Sequence, residues 1–121
     1  GEISLLDTLD TLEQAEIPYV GAGRNLQEAM TPVYYIANGM KIAFVSATQI
    51  ERNGTPDTKE ATQDSAGVLR CMNPDNLLLT IEETKKNSDY VILYIHWGTE
   101  SQEAIALVIF GLIPELRTAA W

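Results

Sequence analysis

The chain has 121 residues, the length of one ordinary domain. Its 45% hydrophobic and 21% charged residues are typical of a soluble globular protein, and its net charge of −9 argues against nucleic-acid or anionic-lipid partners, which need a basic surface. Cys71 is the single cysteine, so neither an intrachain disulfide nor a thiolate metal cluster can form. No membrane span is expected, because the longest apolar stretch, residues 104–113, is about half of the roughly 20 residues that a span needs.

The first element is predicted to be an amphipathic helix. Apolar residues recur at helical spacing between residues 3 and 15, acidic residues occupy the other face, and the helix should end before Pro18. A short strand is then predicted around Tyr19 and Val20.

The next segment, residues 21–25, has two interpretations. Gly21 and Gly23 would let the backbone approach an anion and Arg24 would pair with it, as in a phosphate-binding loop. Asn25 is predicted to cap a short helix, with Glu28 reaching back to it. Alternatively, the glycines serve only a tight strand-to-helix turn. A nucleotide cofactor is not expected, since the third glycine of a dinucleotide fingerprint is missing.

A β-hairpin is predicted next in the chain. Residues 33–37 and 40–47 are rich in β-branched and aromatic side chains, and they flank Asn38-Gly39, which favours a two-residue hairpin turn. Residues 49–67 are polar and without a period, so a long irregular loop is predicted there.

A third helix and a buried strand complete the pattern. Asn73 and Pro74 are typical of a helix start. The buried face of this helix is predicted to consist of Leu77, Leu78 and Ile81. The apolar run at residues 90–95 predicts a strand buried on both faces. The order of elements therefore predicts an α/β fold, with a mixed sheet, helices and an antiparallel hairpin.

The strongest candidate for a functional residue is His96, which ends this apolar run. A histidine at a strand end can bind a metal or transfer a proton, although one histidine cannot make a metal site alone. The simpler alternative is a histidine whose ring nitrogens bond to the backbone. Trp97 could wall a pocket or merely pack against a neighbour. Glu100 could orient the histidine, face a substrate amine or water, or remain a solvated loop carboxylate.

The other polar residues of the chain give weaker indications. Asp57, Glu60 and Asp64 lack the spacing of a calcium loop, so a solvated acidic segment is expected there. No serine lies in the sequence context of a catalytic nucleophile.

Three stretches together resemble one protein family. They are residues 6–29, with Tyr19-Val20-Gly21-Ala22-Gly23-Arg24-Asn25; residues 33–48, around Asn38-Gly39; and residues 89–100, with His96-Trp97-Gly98. The family is the bacterial capsule-synthesis CapA/PgsA group, which is linked to poly-γ-glutamate capsules and is similar in fold to calcineurin-like metallophosphatases.

The resemblance implies a two-metal phosphoesterase type of fold, in which two mixed sheets face each other between helices. It implies that His96 is a ligand to divalent metal ions such as Mn²⁺ or Zn²⁺. It also implies metal-assisted hydrolysis of a phosphoester or related bond, or the handling of an anionic polymer, at the bacterial cell envelope or the outer face of the membrane.

The chain departs from the family pattern at both ends. The family's early aspartate and Asn-Asn-His motifs would precede Gly1, its Gly-His-x-His motif is missing downstream, and residues 104–113 do not match its continuation. We therefore expect a fragment, with residues 1–100 as an incomplete CapA-like domain and residues 101–121 as an atypical C-terminal segment.

Two alternatives remain open at this stage. The longer parent protein could be a non-catalytic component that binds or guides the polymer, or the chain could be an unrelated small α/β binding domain. The chain by itself is expected to hold no catalytic metal pair, because it could supply only one or two of the ligands. Self-association or marginal stability is expected from its exposed apolar surface and strand edges.

Overall fold

The computed structural model describes residues 2–52, 55–56, 59–71, 74–99 and 102–111. Its helices are α1 (Glu2–Gln14), α2 (Leu26–Ala29) and α3 (Pro74–Lys86). Its strands are β1 (Ala22–Gly23), β2 (Val33–Ala37), β3 (Met40–Arg52), β4 (Thr55–Pro56), β5 (Gly67–Val68), β6 (Tyr90–Thr99) and β7 (Gln102–Gly111). Of the helices described, none is both long and apolar enough to cross a membrane.

The main sheet has five strands and is mixed, which confirms the predicted α/β fold. Its order is β2-β3-β6-β7, and β4 pairs with the far end of β3. Only β3 and β6 run parallel, in a register that starts at Ile42 and Tyr90, and the other pairs are antiparallel. A separate two-stranded ribbon is formed by β1 and β5.

The hairpin of β2 and β3 confirms the Asn38-Gly39 prediction. Both turn residues have positive φ angles, 52° at Asn38 and 76° at Gly39, as a two-residue turn of the right twist requires. The prediction of an irregular loop over residues 49–67 is wrong for its first part, because β3 continues to Arg52. Pairing with β6 as far as Glu51 holds these residues in an extended conformation.

The hydrophobic core lies on one side of the main sheet, under α2 and α3. It contains Ala29, Ala43, Val45, Ala47, Ala61, Leu69, Leu77, Ile81, Val91 and Leu93. The prediction that Leu78 is buried is wrong, since its side chain is 57% exposed. Thr80 and Thr84 share the buried face of α3 instead, and their hydroxyls donate hydrogen bonds to the carbonyls of Asn76 and Thr80.

Strand β6 is buried on one face only, so the prediction of burial on both faces is wrong for this chain. Val91 and Leu93 are buried in the core, whereas Tyr94, on the other face, is 39% exposed. We call this other side of β6 and β7, away from α2 and α3, the open face. A second large sheet opposite it is not among the residues that the structure describes.

Two further sequence predictions differ from the structure in their boundaries. The strand predicted at Tyr19 and Val20 is wrong, because the extended pair begins at Ala22, where β1 meets β5. Helix α1 is confirmed, although Ile3, predicted on its apolar face, is 78% exposed while Leu9 is buried. The second half of the C-terminal segment, residues 112–121, lies outside the described residues.

Candidate functional site

His96 lies near the carboxyl end of β6, on the open face. It is opposite Thr48 of the parallel strand β3 and opposite Ile105 of β7. The side chain is 33% exposed, so the imidazole is held by the sheet yet accessible from outside. The strand continues three residues beyond His96, to Thr99, so the prediction that His96 ends the strand is wrong, although its ring is accessible near that end of the sheet, where α/β proteins often bind ligands.

The imidazole has one close polar partner, Glu103. Its Nε2 atom is 2.8 Å from Oε1 of Glu103, and the Glu103 side chain is 42% exposed. Glu103 is not among the residues predicted from sequence, because β7 was not predicted. Between Thr99 and Gln102 the sequence contains no glycine or asparagine that would have indicated a hairpin between two strands.

The other two residues predicted near His96 do not join this pair. Trp97 is 39% exposed and, as the next residue in the strand, lies on the opposite face of the sheet. Glu100 lies outside the described residues, so its role in orienting His96 stays a prediction.

The described residues contain no group of three histidine, cysteine, aspartate or glutamate side chains that could hold a metal ion. His96 could therefore supply one metal ligand, with the Glu103 carboxylate hydrogen-bonded to its ring, but these two residues alone do not form a complete metal centre. Such carboxylate-histidine pairs are common behind metal ions, because the carboxylate fixes the orientation of the ring.

The glycines of residues 21–25 are explained by close packing. Gly21 has a φ angle of +82°, and a β-carbon on it would lie 2.6 Å from the carbonyl oxygen of Ser46. A β-carbon on Gly23 would lie 2.6 Å from the backbone nitrogen of Ala29. These contacts agree with the simpler interpretation, a tight turn that needs no ligand.

Asn25 caps α2 as predicted, but the capping box is not closed. Its Oδ1 atom accepts a hydrogen bond of 2.9 Å from the Glu28 backbone N–H. The reciprocal contact predicted for Glu28 is wrong, because its carboxylate accepts a hydrogen bond of 2.7 Å from the Tyr19 hydroxyl and another from Arg24.

Arg24 lies among acidic side chains. Its guanidinium forms ion pairs with Asp10 at 2.6 Å, Glu13 at 2.5 Å and Glu28 at 3.3 Å. One positive charge thus faces three negative ones, and an incoming anion would have to displace carboxylates. Contact of Arg24 with an anion stays a prediction, while the observed pairs tie α1 to α2.

The same cluster shifts the acidity of its members. Hydrogen bonds from Arg24 and Tyr19 hold the pKa of the Glu13 carboxyl below its usual value of 4.5. Burial, followed by the hydrogen bonds to Glu28 and Glu13, raises the pKa of the Tyr19 hydroxyl. The phenol therefore stays neutral and donates to both carboxylates.

Two open pockets lie away from His96, beside α2. One of about 570 Å³ is lined by Asn25, Leu26, Gln27, Met30 and Gln63. The other, of about 460 Å³, extends from Gln27 and Met30 to the surface of α3 at Leu79 and Glu83. Neither brings together acid, base or nucleophilic groups in a catalytic arrangement, so His96 with Glu103 is the better candidate site.

Comparison with known proteins places the whole candidate site within one family. The family model described as bacterial capsule synthesis protein PGA_cap matches residues 1–107. A capsule biosynthesis protein CapA of Bacillus anthracis is 36% identical over 111 residues, which cover 83% of this chain and 26% of that protein. A PGA biosynthesis protein CapA of Bacillus subtilis (strain 168) is 32% identical over 101 residues, which cover 83% of this chain and 25% of that protein. The chain thus spans about a quarter of the length of these relatives.

Proposed function

The chain belongs to the bacterial capsule synthesis family PGA_cap, and we propose that His96 serves it as one ligand of a divalent metal centre of the metallophosphatase type. In this proposal the complete protein acts in poly-γ-glutamate capsule synthesis at the cell envelope. Its reaction is the metal-assisted hydrolysis of a phosphoester or related bond.

The position of His96 is the observation that carries this proposal. The ring stands near the carboxyl end of an inner strand, is one-third exposed, and is oriented by a carboxylate at 2.8 Å. The mixed α/β sheet is compatible with half of a two-sheet metallophosphatase fold, and a second sheet packed on the open face would cover its exposed apolar side chains.

The described part of the chain would supply a single protein ligand. When bound, a divalent metal pair polarises a phosphoryl oxygen and provides the nucleophile for an in-line displacement. Because such pairs need several histidine and aspartate ligands, the 121-residue chain alone should bind no catalytic pair. The remaining ligands are proposed to come from residues other than the described ones.

The test uses the protein expressed from its complete coding sequence. With Mn²⁺ present, hydrolysis of a simple phosphodiester should fall by more than about tenfold in His96→Ala, because even the outer partners of metal ligands are worth 10- to 100-fold. Glu82→Ala is the matched control, since Glu82 is exposed on α3, away from the open face. Hydrolysis at wild-type rate in His96→Ala would contradict the proposal.

A second candidate is a non-catalytic component of capsule assembly. The relatives are named as biosynthesis proteins, and neither name specifies hydrolysis. A net charge of −9 makes the 121-residue chain by itself a poor binder of an anionic polymer. If the wild-type protein binds Mn²⁺ through His96 but hydrolyses no phosphoester, the assembly role is the better assignment.

A further inference from the structure

We propose that Glu103 is a positioning residue, which holds the neutral His96 ring as the Nε2–H tautomer and so leaves Nδ1 as the nitrogen that binds metal. This inference rests on the proposed function, in that it specifies how His96 would act as a ligand. It assigns a role to a residue of β7, outside the motifs that carry the family resemblance.

The register of β6 and β7 brings the two side chains together. His96 is directly opposite Ile105, and Glu103 is directly opposite Gly98, so Glu103 is the diagonal neighbour of His96 on the same face. Because Gly98 has no side chain, nothing at that position stands between the carboxylate and the imidazole. The resulting distance of 2.8 Å is that of a strong, charge-assisted hydrogen bond.

The chemistry of the two groups fixes the position of the proton. A neutral imidazole carries one N–H donor and one acceptor nitrogen, whereas a carboxylate can only accept. The nitrogen that faces Glu103 must therefore be the protonated one, which is Nε2. The lone pair then lies on Nδ1, for which the described residues provide no hydrogen-bond partner, so it is available to a metal ion.

The position of the ring proton can be measured directly. We would label the protein from its complete coding sequence with ¹⁵N-histidine, assign His96 by the loss of its signals in His96→Gln, and record long-range ¹H–¹⁵N correlations. The wild-type ring should show a protected proton on Nε2. Addition of Zn²⁺ should shift the Nδ1 resonance while the Nε2 proton remains.

Three variants separate positioning from a merely structural role. Glu103→Gln keeps an acceptor oxygen and should retain the Nε2 proton signal. Glu103→Ala should lose it and bind Zn²⁺ about 10- to 100-fold more weakly. Gln102→Ala, on the neighbouring residue that faces the other side of the sheet, should change neither measurement.

The outcomes for this inference and for the proposed function are distinct. A proton on Nδ1 in the wild type, or unchanged ring signals and Zn²⁺ affinity in Glu103→Ala, would overturn the role of Glu103 while leaving His96 as a ligand. Zn²⁺ binding that does not depend on His96 would instead overturn the proposed metal centre, even with the Nε2 proton in place.

Discussion

Gly21 and Gly39 have nearly the same φ angle but different surroundings. Their φ angles are +82° and +76°, a region that side chains with a β-carbon rarely adopt. A β-carbon on Gly21 would lie 2.6 Å from the Ser46 carbonyl oxygen, whereas one on Gly39 would meet no atom within 4 Å. The two positions therefore separate backbone strain from steric overlap within a single molecule.

Alanine at these two positions should destabilise the fold to different extents. Gly39→Ala introduces strain alone and should lower the free energy of unfolding by about 1 kcal/mol. Gly21→Ala adds an overlap with the backbone of β3 and should cost about 3 kcal/mol. Urea unfolding followed by tryptophan fluorescence measures both, and equal losses would show that the contact with Ser46 relaxes without cost.

At the scale of elements, the helical period of α3 determines which of its side chains are buried. Leu77 and Ile81 are four residues apart and share the face toward the sheet, whereas Leu78 is turned by about 100° from Leu77 and points away. Thr80 is tolerated on the buried face because its hydroxyl donates a hydrogen bond to the Asn76 carbonyl and so has a partner.

Two adjacent leucines of α3 should therefore respond differently to truncation. Leu77 is only 8% exposed, and Leu77→Ala should lower the free energy of unfolding by about 2–5 kcal/mol through lost burial and a cavity. Leu78 is 57% exposed, and Leu78→Ala should change it by less than about 0.5 kcal/mol. Thermal unfolding of both variants provides the measurement, and comparable losses would place Leu78 in an interface that this structure does not contain.

Sequence predicted the elements whose signals are local. The Asn38-Gly39 turn and the Pro74 helix start depend on residues within the element itself, and both agree with the structure. The continuation of β3 beyond residue 49 and the whole of β7 depend on pairing with β6, a long-range interaction that local composition does not record. Glu103 was missed for the same reason, because only the β6–β7 register places it beside His96.

At the scale of the whole molecule, surface charge and exposed apolar surface have opposite effects on self-association. The net charge of −9 repels a second copy of the chain. On the open face, however, Tyr94 is 39% exposed, and Ile105 of the edge strand β7 is 59% exposed. Strand β7 carries no lysine or proline. Edge strands with few charges favour pairing with another chain, and Glu103 is the single charged residue of β7.

The 121-residue chain should therefore self-associate through the open face. Sedimentation should show species larger than the 13.4 kDa monomer, in a fraction that increases with protein concentration and with salt, since salt screens the repulsion. Ile105→Lys places a charge on the open face and should shift the equilibrium toward monomer.

Ile36→Lys is the matched control, because Ile36 is 70% exposed on β2, at the far edge of the sheet. This variant should leave the association unchanged apart from its effect on net charge. A cooperative monomer at all concentrations would contradict this prediction, and an equal effect of both lysines would assign the association to net charge instead of the open face.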